Sequence, residues 1–94
     1  AIADFDKAIE INPKYAHAYL LRGDAYGRKG VPDQAIADFD KAIEIDPKYT
    51  WAYRNRGGTY AKKGEYDRAI ADFDKAIELD PKYAPAYNSR AMVF

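Results

Sequence analysis

The side chains able to do chemistry are few, and they do not converge. His17 is the only histidine and there is no cysteine. No thiolate nucleophile, Cys–His pair or imidazole cluster for a transition metal can therefore be built. A lone imidazole on a helix face reads as a surface residue. The acids are better placed: Asp4, Asp6 and Glu10 recur as Asp38, Asp40 and Glu44, and again as Asp72, Asp74 and Glu78. Asp40 and Glu44 stand one helical turn apart, close enough to share a cation. Yet Lys41 lies between them, and hard cations want several converging oxygens. The plainer reading is a solvated helix face, paired locally in the manner of Asp38 with Lys41. Gly57-Gly58 is no phosphate loop, because no strand precedes it and no Lys-Ser or Lys-Thr follows. These residues predict no enzyme, no metal site and no cofactor.

The recurring acids belong to a larger recurrence. The stretch AIADFDKAIEIDPKY at Ala35–Tyr49 occurs three times, starting at Ala1, Ala35 and Ala69, with a period of 34 residues. The copies differ from it only at Asn12 and Leu79. A fixed period of this length predicts stacked helical units that bury their apolar faces on one another. Ala35, Ile36, Phe39, Ala42 and Ile43 form one stripe of a 3.6-residue helix, leaving Asp38, Asp40, Lys41 and Glu44 to the wet side. Pro13, Pro47 and Pro81 end the three copies, since the residue before a proline is pushed out of the α region.

Between the copies run more variable helices, from about Tyr15 to Lys29, Tyr49 to Lys63 and Tyr83 to Phe94. In the first, Ala18, Tyr19, Gly23 and Tyr26 mark one face, and Gly23 sits where two helices come close. Gly30 and Gly64 are expected left-handed caps, with Arg28 and Lys29 suited to the dipole at the first of these ends. Pro32 suits a first helical turn. Short loops imply antiparallel neighbours. The expected fold is all-α, six helices in a right-handed stack of hairpins. Tyr19, Tyr26, Phe39, Tyr53, Tyr60 and Phe73 should lie buried between them.

This pattern resembles the tetratricopeptide repeat over essentially the whole chain. Tyr53, Gly57, Tyr60, Gly64, Tyr66, Ala69, Phe73, Ala76 and Pro81 carry the resemblance in one unit. Tyr19, Gly23, Tyr26, Gly30, Ala35, Phe39, Ala42 and Pro47 carry it in the unit before. Arg22, Arg56 and Arg90 depart from it, standing where the family usually has leucine, and Pro32 replaces an aromatic. The resemblance implies a second helix of a partial repeat at 1–15, full repeats at 16–49 and 50–83, and a first helix at 84–94. It also implies that the first helix of each repeat lines a concave groove for extended peptides or partner helices.

The second helices are nearly identical, whereas the first helices vary along one stripe. That stripe is His17, Leu20, Asp24 and Arg28, then Trp51, Arg54, Gly58 and Lys62, then Pro85, Asn88 and Met92. A constant scaffold with one variable face is the pattern of a binding module. Trp51, Arg54 and Asn55 are the leading candidates, since Trp and Arg dominate interface hot spots. The bland alternatives are Trp51 covering a helix end and Arg54 paired with Asp24. Chaperone-binding members of the family clamp a C-terminal carboxylate with lysines and asparagines. Here Asp24, Gly58, Pro85 and Ser89 occupy clamp places, so that ligand is not expected.

The chain carries 15 basic and 15 acidic residues, so no global field favours nucleic acid or an anionic membrane. No apolar run reaches membrane-span length and no signal-like segment is present. Absence of cysteine leaves the compartment open, with the cytoplasm favoured. A rival to the groove reading places the important surfaces at the two ends. Ile2, Phe5 and Ile9 at one end, and Tyr87, Ala91 and Phe94 at the other, are complementary halves of one hairpin. Head-to-tail self-association or a swapped dimer is the corresponding expectation.

Overall fold

The structure is a computed structural model and describes residues 2–81. Five helices follow one another: α1 (Ile2–Ile11), α2 (Ala16–Lys29), α3 (Pro32–Ile45), α4 (Thr50–Lys62) and α5 (Tyr66–Leu79). No strand occurs among the described residues. The sixth expected helix lies outside them.

The same short turn joins α1 to α2 and α3 to α4. Asn12 Oδ1 accepts from the Lys14 amide at 3.1 Å, and Asp46 Oδ1 accepts from the Lys48 amide at 3.1 Å. Each is a side-chain turn that stops one helix and aims the next. Helices α2 and α4 start without a side-chain cap, at Tyr15 and Tyr49. The opposite turns use glycine: Gly30 and Gly64 adopt φ of +87° and +83°, where a Cβ would be strained. Pro32 opens α3, three residues before the repeated stretch, as its missing N–H allows.

Helix α2 packs most closely on α3 and α4 on α5; α3 joins the two hairpins, and α1 lies on α2. Ala35, Phe39, Ala42, Ala69, Phe73 and Ala76 are buried, so the apolar stripe of α3 and α5 is the core. A Cβ on Gly23 would sit 2.6 Å from Cε1 of Phe39, and one on Gly57 would sit 2.7 Å from Cε1 of Phe73. Each phenylalanine thus takes the space that glycine leaves. Tyr19 is buried with them, whereas Tyr26, Tyr53 and Tyr60 are only half-buried. Their rings are amphipathic and reach the rim: the Tyr53 hydroxyl donates to the Pro47 carbonyl at 3.1 Å. The Tyr60 ring lies under the guanidinium groups of Arg56 and Arg68.

The acidic clusters correct the sequence reading. Asp38 and Asp72 are not on the wet side; each is 5% exposed. Arg22 donates to both oxygens of Asp38, Nε at 2.9 Å and Nη2 at 2.7 Å, and its Nη1 reaches Asp6 at 2.9 Å. Arg56 repeats this 34 residues on, forking Asp72 at 2.9 and 2.7 Å and reaching Asp40 at 2.7 Å. Lys41 pairs with Glu44 instead of Asp38. The residues that replace leucine therefore tie each second helix to the next through a three-way ion pair. The fork matches the planar guanidinium to a carboxylate, the geometry in which such bonds are strongest. It raises the arginine pKa well beyond its usual range, chiefly through the hydrogen bonds to Asp38 and Asp72.

Candidate partner-binding groove

Helices α2 and α4 present their variable stripes to two adjoining hollows. One, of about 360 Å³, is lined by His17, Leu20, Leu21 and Asp24 of α2, by Tyr49, and by Trp51, Arg54 and Asn55 of α4. The other, of about 280 Å³, takes Asp24, Gly27 and Arg28 from α2, Arg54, Asn55, Gly58, Thr59 and Lys62 from α4, and Phe39 from α3. Asp24, Arg54 and Asn55 belong to both, so the hollows are two stations of one groove.

Arg54 stands between the stations. Its Nη1 donates to Asn55 Oδ1 at 3.3 Å, and its Nε is buried with no hydrogen-bond partner. The alternative pairing of Arg54 with Asp24 is not formed; Asp24 holds Arg28 at 3.1 Å, one turn along α2. Trp51 is 53% exposed at the other station. His17 is exposed but not isolated, its Nδ1 lying 2.7 Å from the Tyr49 hydroxyl. Burial, and then the nearby Asp46, push the Tyr49 phenol up.

Leu20 is 6% exposed and belongs to the core cluster, so it offers the groove only an edge. Arg28 and Lys62 stand at the second station, Arg28 largely in solvent. Asn88 and Met92 lie outside the described residues. Sequence reasoning missed Tyr49, Leu21, Gly27 and Thr59. Tyr49 stands at a helix start, where the sequence pattern marks no groove. The others sit beside the variable stripe, and the groove is wider than one residue column. Thr59 is less free than its hydroxyl suggests, since Oγ1 donates to the Asn55 carbonyl at 3.0 Å. Among the described residues no three His, Asp or Glu side chains gather to hold a metal ion, and no helix is long and apolar enough to cross a membrane.

A third hollow, of about 460 Å³, lies between α1 and α2, lined by Ile2, Phe5, Leu21, Asp24, Ala25 and Arg28. Ile2 and Phe5 are half-buried there. Ile9 differs from the expectation of an uncovered face, because it packs against the core cluster. Tyr87, Ala91 and Phe94 lie outside the described residues.

Comparison with known proteins identifies the family and the fold. A family model described as "TPR repeat" matches residues 1–30 and 33–64, and one described as "Tetratricopeptide repeat" matches residues 50–83. The chain belongs to the tetratricopeptide repeat family. No curated protein sequence matches it. Among solved structures, the TPR domain of Arabidopsis OM64 superposes with a TM-score of 0.96 at 31% identity, covering 99% of this chain and 77% of that one. The first TPR domain of human RPAP3 gives 0.96 at 26%, with coverages of 99% and 73%. The first TPR of Spaghetti (RPAP3), bound to the HSP90 peptide SRMEEVD, gives 0.94 at 25%, with coverages of 98% and 73%. The fold is thus the all-α superhelical stack of that family, and a neighbour holding a peptide supports a protein-interaction scaffold.

Proposed function

We propose that the chain is a protein-interaction scaffold, without a catalytic step, that holds an extended peptide or a partner helix between α2 and α4. The observation that carries this reading is the buried, partnerless Nε of Arg54. A guanidinium N–H out of water with no acceptor costs about 1–3 kcal/mol, and an oxygen of a bound chain removes that cost. Trp51 on one side offers an apolar platform, and Lys62 with Arg28 on the other offers positive charge. A peptide with a large apolar residue a few positions from an acidic one fits both stations. The ligand of the RPAP3 neighbour is not carried over, since Asp24 puts a carboxylate where a carboxylate clamp needs a donor.

The test is a peptide-library screen on the wild-type chain and on the Trp51→Ala/Arg54→Ala variant, read by Trp51 emission and by affinity. Hits should shift the Trp51 emission, and Arg54→Ala should weaken them by about tenfold or more. Peptides that bind without moving Trp51 emission, with affinity unchanged by Arg54→Ala, would place the site elsewhere.

A further inference from the structure

One hydrogen bond at the rim of the groove has two forms. His17, in the first turn of α2, holds its Nδ1 2.7 Å from the hydroxyl of Tyr49, the residue just before α4. The bond ties the start of one variable helix to the start of the next. Both residues line the station that Trp51 and Arg54 also line. Tyr49 is half-buried and packs against the core cluster, so its hydroxyl needs a partner. Burial, and then Asp46, raise the phenol, which therefore keeps its proton throughout the range in which imidazoles titrate. Beside a neutral imidazole the phenol donates to Nδ1, and this selects the tautomer with hydrogen on Nε2. A protonated imidazole is a donor at both nitrogens. Nδ1–H then donates to the Tyr49 oxygen, and the phenol hydrogen has to turn toward another acceptor. The rim stays closed in both forms. What changes is a positive charge beside Trp51 and a freed O–H donor.

The described elements bring few other titratable or charged groups to this pair. Tyr15, just ahead of α2, has its ring centroid 6.2 Å from that of His17. Asp46 lies in the turn before Tyr49 and acts on the phenol. Arg54 comes from α4, and Asp24 is the acid that α2 gives to the hollow. The Asp24 carboxylate is already engaged by Arg28 at 3.1 Å, so the hollow leaves no acid for the imidazole. We propose that the His17–Tyr49 pair makes the Trp51 station a proton-dependent reader of charge, a property that rests on the groove being the peptide site. With the imidazole neutral, the station takes a large apolar side chain whatever its neighbour. With the imidazole charged, it prefers one whose neighbour is glutamate or aspartate, because that carboxylate meets both the imidazolium and the freed Tyr49 O–H. The partner is an extended peptide with an acid next to its apolar anchor. Its carboxylate favours the charged imidazole, so binding takes up a proton and affinity falls as pH rises. Lys62 and Arg28 at the second station keep their charge over the same range.

The probes are two pools of labelled, acetylated and amidated octapeptides. In one a leucine is followed directly by glutamate; in the matched pool it is followed by glutamine. Binding is read by fluorescence polarisation at about pH 5.5 and about pH 7.5, where the peptide glutamate stays ionised. The glutamate pool should bind the wild-type chain about threefold to fivefold more tightly at the lower pH, the worth of a largely exposed ion pair. The glutamine pool should bind equally at both. His17 is exposed, so His17→Gln should keep full helicity by far-UV circular dichroism while losing the pH response. Tyr49→Phe should keep only part of it. Equal pH responses from the two pools overturn the proposal, and so does a response that survives His17→Gln. Pools that bind with no pH response overturn it too, yet leave the groove standing as the peptide site. Pools that fail to bind at either pH overturn the groove reading and this proposal together. The comparison of glutamate with glutamine on the wild-type chain decides without any variant.

Discussion

Arg56 is the residue whose removal should be felt furthest. It forks Asp72, whose side chain is 7% exposed, and it is itself 20% exposed. Its second amino group reaches Asp40, which is 53% exposed. Arg56→Met keeps the aliphatic stem against Tyr53 and Tyr60 but strands the Asp72 carboxylate out of water. Removing one partner of a buried pair costs about 3–5 kcal/mol, and the partial exposure of Arg56 puts the expected value near the lower end. Chains of this size are stable by about 5–14 kcal/mol, so the loss is a large fraction of the total. Asp40→Asn cuts only the exposed leg and should cost at most about 1 kcal/mol. The double variant Arg56→Met/Asp72→Leu removes both charges and should return to within about 1 kcal/mol of the wild type. The assay is urea unfolding followed by far-UV circular dichroism at one low protein concentration, completed as a double-mutant cycle. An Arg56→Met loss below about 0.5 kcal/mol, no larger than a surface change, would refute the reasoning that the fork holds a buried charge. No alkaline loss should trace to the fork, because the raised arginine pKa lies beyond any pH the fold survives.

Adjacent glycines should respond with opposite signs. Gly57→Ala meets Phe73 Cε1 at 2.7 Å and the rigid Cβ of Asp72 at 3.1 Å, and should destabilise by about 1–2 kcal/mol. Gly58→Ala meets nothing within 4 Å and should stabilise by about 0.5–1 kcal/mol; thermal melts of the two variants check both signs. For pH, burial raises the Tyr49 phenol, so the folded state keeps that proton after the unfolded state has lost it. Stability from this group is full below the ordinary phenol range and falls as pH climbs from about 10. Lys63, raised chiefly by its hydrogen bond to Asp33, adds a slope of the same sign. Tyr49→Phe should flatten the urea midpoint against pH above about pH 10; an unchanged slope would remove Tyr49 from the account.

Much of this molecule was legible in the order of its residues. A 34-residue period, an apolar stripe with a 3.6-residue repeat, prolines after each stripe and glycines at two turns are local signals. They dictated helices, stops and antiparallel hairpins because backbone sterics and one-faced burial act within a few residues. The variable stripe on the first helices was legible for the same reason. Helical geometry alone puts His17, Leu20 and Asp24 on one side of α2, and Trp51 and Arg54 on one side of α4.

Tertiary structure decided which polar groups lose water, and there the local reading of the acids failed. Asp38 and Asp40 are two residues apart on an outwardly polar helix, and no local rule separates them. Only the approach of Arg22 from α2 and Arg56 from α4 buries the first and leaves the second half in solvent. The partner of each carboxylate lies 16 residues away in sequence, a separation that helical periodicity cannot encode. Arg54 shows the converse. Its sequence position left a pair with Asp24 open beside a place in the groove, and the spacing of α2 and α4 left its Nε buried and unpartnered. Local pattern chooses the elements; the distance between elements chooses the partners.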